Sequence, residues 1–154
     1  MKIADGVIML ESSMWSHVFL IQSDANILID TGNPGEFEYI WHELTSLGAE
    51  RISYILLTHH DVDHIGNAKR LQQQTGAGVW ASFEDIPYIA GEKNRPGIKR
   101  IVQSIIRPEK PVINGTYSSD QRFGEIRVIK TPGHTPGHVI FSYRNVLFTG
   151  TFSK

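Results

Sequence analysis

Apolar residues along the first thirty positions come in short runs separated by polar breaks. Three of these runs, Val7 to Leu10, His17 to Gln22 and Asn26 to Asp30, have strand length. Ser23-Asp24 supplies a turn between the last two, so the pattern predicts one antiparallel meander, which Asn33-Pro34-Gly35 then ends. Beyond that break the period changes. Phe37, Ile40, Trp41, Leu44 and Leu47 recur at three- and four-residue intervals, which predicts a helix that lies on a sheet through this stripe and stops at Gly48. Ile52 to Leu57 is almost continuously apolar, as expected of a strand covered on both faces. Asn67 to Thr75 predicts a short helix closed by Gly76, and Val79 to Ala81 a further strand, so the middle of the chain reads as a β-α-β unit.

From Ser82 to Pro111 the pattern is interrupted by Pro87, Pro96, Pro108 and Pro111, and the stretch from Lys93 to Lys110 is basic. Prolines at this density predict short helices and loops outside the sheet. Two uses of such a segment stay open at this level: a wall for a substrate pocket, or a plain surface connection. Glu125 to Lys130, Val139 to Tyr143 and Val146 to Thr149 are predicted as strands, the last two joined in a hairpin at Arg144-Asn145.

Composition narrows the class of function. The 154 residues are 40% hydrophobic and 20% charged, which suits one compact domain over residues 1–154. The formal charge of -1 leaves no excess positive field for a nucleic acid or an anionic membrane, so a small molecule is the expected partner. Cysteine is absent, which removes disulfides, thiolate zinc sites and a thiol nucleophile together. Asp5 and Gly6 precede any apolar run of signal-peptide length, and no stretch approaches about 20 apolar residues, so a cytoplasmic location is expected.

Without cysteine, a metal would have to be held by His, Asp or Glu, and these are concentrated in one place. Thr58-His59-His60-Asp61-Val62-Asp63-His64-Ile65-Gly66 packs three histidines and two carboxylates directly after the predicted buried strand. Imidazoles and carboxylates bind a divalent ion when their donor atoms converge to about 2.0–2.2 Å from one point, and a tight loop at a strand end aims side chains that way. A capping loop with Asp63 at a helix start would need the aspartate but none of the histidines. A second cluster, Thr131-Pro132-Gly133-His134-Thr135-Pro136-Gly137-His138, also follows a strand and places two histidines on a rigid Pro/Gly backbone.

These two clusters, with Ile27-Leu28-Ile29-Asp30-Thr31-Gly32 before them and Leu147-Phe148-Thr149-Gly150 after, resemble the metallo-β-lactamase superfamily in content and order. That superfamily includes glyoxalase II-type thioesterases, lactonases and flavodiiron proteins. The resemblance implies an α/β (α+β) αββα sandwich with its metal site at one sheet edge. It also implies His59, Asp61 and His134 as ligands of a first metal, and Asp63 and His64 as ligands of a second. His60 falls at a variable position directed away from the metal. Asp30 corresponds to the acid that supports the metal loop, and His138 to a residue packed behind the ligands. His17, near the expected pocket rim, and His42, opposite the helix's apolar stripe, receive no role.

The chain departs from the pattern in three places. Asp61 stands where a histidine is usual, a harder donor that leaves iron or manganese open beside zinc. Thr151 stands where a metal-bridging aspartate is usual, and the sequence stops at Lys154, where the family continues to C-terminal elements that are missing here. Three ligands suit a catalytic site with one open position; two make a weak one. The expectation is therefore one tightly held ion, zinc in the first instance, with a second held loosely. The implied function is hydrolysis of a small ester, lactone, thioester or amide by metal-activated water, with Asp63 as base. One alternative is a catalytically impaired or incomplete chain that binds metal weakly and self-associates as a homo-oligomer through an uncovered C-terminal sheet region. A redox protein on the same fold is another alternative, disfavoured because no flavin-binding segment follows.

Overall fold

The computed structural model describes residues 1–150, apart from the side chains of residues 102–104. Strands β1 (Lys2–Ala4), β2 (Val7–Met9), β3 (Phe19–Gln22) and β4 (Asn26–Ile29) form the antiparallel meander. Helix α1 (Phe37–Ser46) then leads to β5 (Tyr54–Leu56), and α2 (Val62–Ile65) and α3 (Ala68–Thr75) lead to β6 (Gly78–Ala81). Two short helices, α4 (Ile86–Ile89) and α5 (Ile98–Ile105), precede β7 (Ile113–Thr116). From β4 through β7 the pairing is parallel, which completes a seven-stranded sheet in sequence order. A second, antiparallel sheet has the order β11-β10-β9-β8, built from β8 (Arg122–Phe123), β9 (Ile126–Lys130), β10 (Val139–Tyr143) and β11 (Val146–Phe148).

The apolar run across β4 and β5 is continuous because both faces of this sheet are covered. Leu28, Ile55 and Leu57 join Phe37, Ile40 and Leu44 of α1 and Leu71 of α3 in one core, while the alternate residues Ile27, Ile29 and Leu56 join Val128, Val139 and Phe141 of the second sheet in another. Successive side chains on a strand point to opposite faces, so one strand serves both cores. The result is the helix-sheet-sheet order of the expected sandwich. Gly76 ends α3 in the left-handed conformation at φ 75°, as predicted.

Several elements were not anticipated. β1, α2, β7 and β8 are too short to carry a period of their own, and β7 contains the strand-breaking pair Asn114-Gly115. Gly115 is tolerated because the Trp80 ring lies over it; a Cβ there would come within 2.5 Å of the indole. Asp61, not Asp63, occupies the N-cap position of α2, and its side chain makes no capping bond.

Candidate metal centre

Parallel strands deliver the site. Asp30 follows β4 and His59 follows β5, both at carboxyl ends, and His134 lies in the loop between β9 and β10. Ligand sites in α/β sheets form at such ends because neighbouring strands release their loops side by side there. Val139 N–H donates to Thr58 C=O at 2.9 Å and so ties the two sheets together beside the histidines. Thr31 and His64 are joined through the His64 carbonyl, and Asn67 Nδ2 donates to the carbonyls of Thr31 and Asn33 at 2.7 Å each. Gly66 permits this approach, since a Cβ there would lie 2.4 Å from the Gly32 carbonyl oxygen.

Asp30 is buried in the left-handed region at φ 59°, a conformation that aspartate tolerates better than most residues. Its Oδ1 accepts from Thr58 N–H at 2.8 Å; its Oδ2 accepts from Thr58 Oγ1 at 2.7 Å and from His64 Nδ1 at 2.8 Å. Burial alone would raise its pKa, but the positive charge and hydrogen bond of His64 overcome that and hold it below the usual carboxylate value. An ionised carboxylate only accepts, so the single Thr58 hydroxyl proton points at Asp30. Thr58 Oγ1 then receives the Nδ1–H of His59 at 2.8 Å. Both His59 and His64 thereby carry a proton on Nδ1 and turn Nε2 to the metal side; neutral His59 keeps its Nε2 lone pair, whereas the carboxylates of Asp30, Asp63 and Asp61 raise the His64 pKa against its burial, so that ring must release its Nε2 proton to ligate. The resemblance placed Asp30 behind the metal loop; the structure gives it control of two tautomers.

His59, Asp61 and His134, expected as the first-site ligands, converge so that one donor atom from each lies within 4.8 Å of the others. Asp61 Oδ2 is 3.3 Å from His59 Nε2 and 2.8 Å from His134 Nε2. Donors bound tetrahedrally at zinc distances stand about 3.3 Å apart, so this spacing suits such an ion with little movement. Asp61 Oδ1 is buried without a hydrogen-bond partner, an oxygen whose polarity a cation would satisfy. Burial raises the Asp61 pKa, but the contacts of its Oδ2 with His59, Lys99 and His134 outweigh it and hold the carboxyl well below its ordinary range. Burial pushes the His59 imidazolium down to about 4 and so keeps the ring neutral.

Asp63 and His64 come together less closely, with His64 Nε2 3.7 Å from Asp63 Oδ2. The His64 ring is 4.1 Å from that of His59. Burial raises the Asp63 pKa, which suits a proton acceptor. His138 Nδ1 bonds Thr131 Oγ1 at 2.8 Å, and its buried Nε2 has no hydrogen-bond partner. His60 turns away from the donor cluster, stacking on Tyr88 at 4.3 Å and receiving Arg95 Nε on its Nδ1 at 3.0 Å. Exposed His17 lines a cavity of about 290 Å³ together with Asp63 and His64, and His42 is solvated on α1. Thr151 lies outside the described residues.

Three residues at the site were not singled out by the sequence pattern. Asp85, just before α4, is buried and receives Thr135 Oγ1 at 3.0 Å and Gly137 N–H at 2.8 Å, so it fixes the loop that carries His134. Arg95 is buried, and its guanidinium donates to the His60 carbonyl. Lys99 Nζ is 2.8 Å from Asp61 Oδ2 and 3.3 Å from His134 Nε2. The signal for the last two was the basic stretch from Lys93 to Lys110; for Asp85 the sequence carries none. This segment also decides between its two possible uses, pocket wall or surface connection. Arg95, Ile98, Lys99 and Ile106 join Trp15, Asp61 and Asp63 around a cavity of about 380 Å³.

Comparison with known proteins places this geometry among relatives. The family model described as the metallo-beta-lactamase superfamily matches residues 16–154. A probable metallo-hydrolase of Methanocaldococcus jannaschii is 26% identical over 136 residues, covering 88% of this chain and 66% of that protein. A hydroxyacylglutathione hydrolase of Haemophilus influenzae is 31% identical over 132 residues, covering 80% of this chain and 58% of the relative. Among solved structures, a metallo-beta-lactamase of Cronobacter sakazakii with a HARLDQ motif aligns at TM-score 0.74 and 26% identity, over 92% of this chain and 52% of that one. The chain thus spans roughly half to two thirds of the length of these relatives. No helix of the described residues is long and apolar enough to cross a membrane.

Proposed function

Since this chain belongs to the metallo-beta-lactamase superfamily, we propose that it is a metallo-hydrolase acting on a small ester, lactone, thioester or amide, with His59, Asp61 and His134 as its principal metal ligands. The observation that carries this reading is their convergence from separate loops within 4.8 Å, beside a cavity that could admit a small substrate. A bound divalent ion, zinc in the first instance, supplies Lewis acidity and lowers the pKa of water from about 15.7 toward about 7.

The chain's own residues do the rest. Asp30, through Thr58 and directly, holds a proton on the Nδ1 atoms of His59 and His64 and so directs their Nε2 atoms to the metal. The Asp63 carboxylate, at the cavity wall, takes the proton of the attacking water. Trp15, Ile98 and Ile106 supply apolar surface against which a substrate excludes bulk water. Asp63 and His64 alone offer only two donors for a second ion, which favours one tightly held metal per chain.

The test is metal analysis and turnover of purified protein after equilibration with zinc, iron or manganese. About one retained ion and measurable hydrolysis of at least one ester, lactone or thioester are expected, with both lost in His59→Ala and His134→Ala. Metal retention unaffected by either substitution, or two tightly held ions, would contradict the ligand assignment.

A further inference from the structure

Between Lys93 and Lys110 the chain carries Lys93, Arg95, Lys99, Arg100, Arg107 and Lys110 against the single acid Glu109, although its overall formal charge is -1. The metal centre accounts for Lys99 and in part for Arg95. The fold gathers the others elsewhere. Arg95, Arg100, Arg107 and Lys110, with Tyr88 and Asn94, line a cavity of about 360 Å³, and no acidic side chain is among its described lining.

Among the described residues, Arg100, Arg107 and Lys110 have no carboxylate within ion-pair distance. Their convergence in a concavity is electrostatically unfavourable by itself and focuses a positive potential there. Arg95 is held in position, and Lys110 packs beside a glycine. The Arg95 guanidinium is fixed by the His60 carbonyl, and the Lys110 side chain lies over Gly91, where a Cβ would come within 3.2 Å of its Cε and Nζ. Arginine forks match the oxygens of a phosphate in paired hydrogen bonds, and lysine adds a point charge. The volume suits a phosphate or diphosphate group, whereas a polynucleotide would call for a basic stripe across the surface. Arg95 also lines the cavity that contains Asp61 and Asp63, so the two cavities meet at one residue.

We infer that this cavity is a binding subsite for a phosphate or diphosphate group carried by a small molecule. On the hydrolase reading proposed above, that molecule is the substrate, its phosphorylated end held by Arg100, Arg107 and Lys110 and its scissile group extending past Arg95 toward Asp61.

Metal-stripped protein titrated calorimetrically with inorganic pyrophosphate tests the subsite apart from any anion-metal contact, with citrate and sulfate run in parallel. One pyrophosphate per chain is expected, bound more tightly than citrate or sulfate. Arg100→Gln and Arg107→Gln should each weaken it about tenfold or more, the loss expected for one charge-assisted contact. Arg127→Gln, at a surface arginine paired with Asp120, and His134→Ala should leave it unchanged. No binding up to about 10 mM, a site with no preference for pyrophosphate, or binding that survives the paired Arg100→Gln/Arg107→Gln variant in protein of native circular dichroism overturns the subsite. The substrate assignment is tested on metal-loaded protein with a matched pair of esters, one phosphorylated and one neutral. The paired variant should raise KM about tenfold or more for the phosphorylated ester alone, with kcat preserved; an equal effect on both esters removes the assignment. Absence of all turnover with pyrophosphate binding intact refutes the hydrolase reading, and the substrate assignment with it, while the subsite stands.

Discussion

Replacing Asp30 by asparagine changes charge without changing shape, and the proton arrangement around it makes the outcome specific. Asparagine also tolerates the left-handed backbone at φ 59°, so no new strain is expected. Its carbonyl oxygen can replace Oδ1 and keep the bond from Thr58 N–H. Its NH2 then faces Thr58 Oγ1 and His64 Nδ1, both of which donate to the carboxylate in the wild type. His64 must therefore give up its Nδ1 proton and hold one on Nε2 alone, and the Thr58 hydroxyl, now an acceptor from the amide, turns its proton to His59 Nδ1 and sends that ring's proton to Nε2 as well. Both imidazoles would present an N–H where they should present a lone pair.

Three hydrogen bonds to an ionised group at about 1.5–3 kcal/mol each are exchanged for neutral ones at about 0.5–1.5 kcal/mol. Because removal of a buried charge also relieves some desolvation, the expected loss of folding stability is about 2–4 kcal/mol. For a chain of this size that lowers Tm by about 6–12 °C. Metal affinity should fall about 10–100-fold, the usual effect of losing a partner that orients a ligand. Urea unfolding of metal-stripped protein measures the first quantity and zinc competition against a chelator the second. The 15N shifts of the imidazoles report the tautomers directly. If Asp30→Asn stays within about 0.5 kcal/mol of wild type, binds zinc within twofold, and keeps protonated Nδ1 atoms, the proton positions assigned to Thr58, His59 and His64 are wrong.

Asp85→Ala leaves the Thr135 hydroxyl and Gly137 N–H without their buried acceptor, so a loss of about 2–4 kcal/mol in urea unfolding is expected, with weaker zinc retention because His134 loses its anchor. Lys99→Met removes a cation that competes for Asp61; a partly exposed ion pair contributes up to about 1 kcal/mol, so zinc should bind up to about fivefold more tightly by chelator competition. Glu43 accepts the backbone N–H groups of Glu11 and Ser12; burial raises its pKa, but the nearby Ser12 side chain and these contacts outweigh that and hold it below 4.5. Since the folded-state pKa is depressed, its contribution is present above pH 4.5 and lost as pH falls through the lower folded value. Glu43→Gln should therefore be less stable than wild type at pH 7, with the gap in urea midpoints closing on acidification; a gap that widens would reverse the sign of this argument.

Much of this architecture could be read from sequence because its determinants are local. Two-faced burial of β4 and β5 demands a continuous apolar run, and the stripe of α1 demands a three-four period, so both are written residue by residue in the chain. The donors His59, Asp61 and His64 lie within six positions of one another directly after a strand, and His134 sits in a recognisable Pro/Gly loop. What escaped was whatever depends on a partner distant in sequence. β7 exists through pairing with β6, and its glycine is explained only by the Trp80 ring. Asp85 is an ordinary aspartate until folding brings Thr135 and Gly137, 50 and 52 positions away, against it. Lys99 and Arg95 read as members of a basic stretch, and the tertiary structure alone separates the lysine at Asp61 from the arginine beneath His60 and from the cations of the neighbouring cavity. The sequence by itself determined which chemistry sits at the strand ends, because those donors are covalently close. Their support and surroundings were decided by the closing of long loops, which brings together residues whose types carry no mark of the contact.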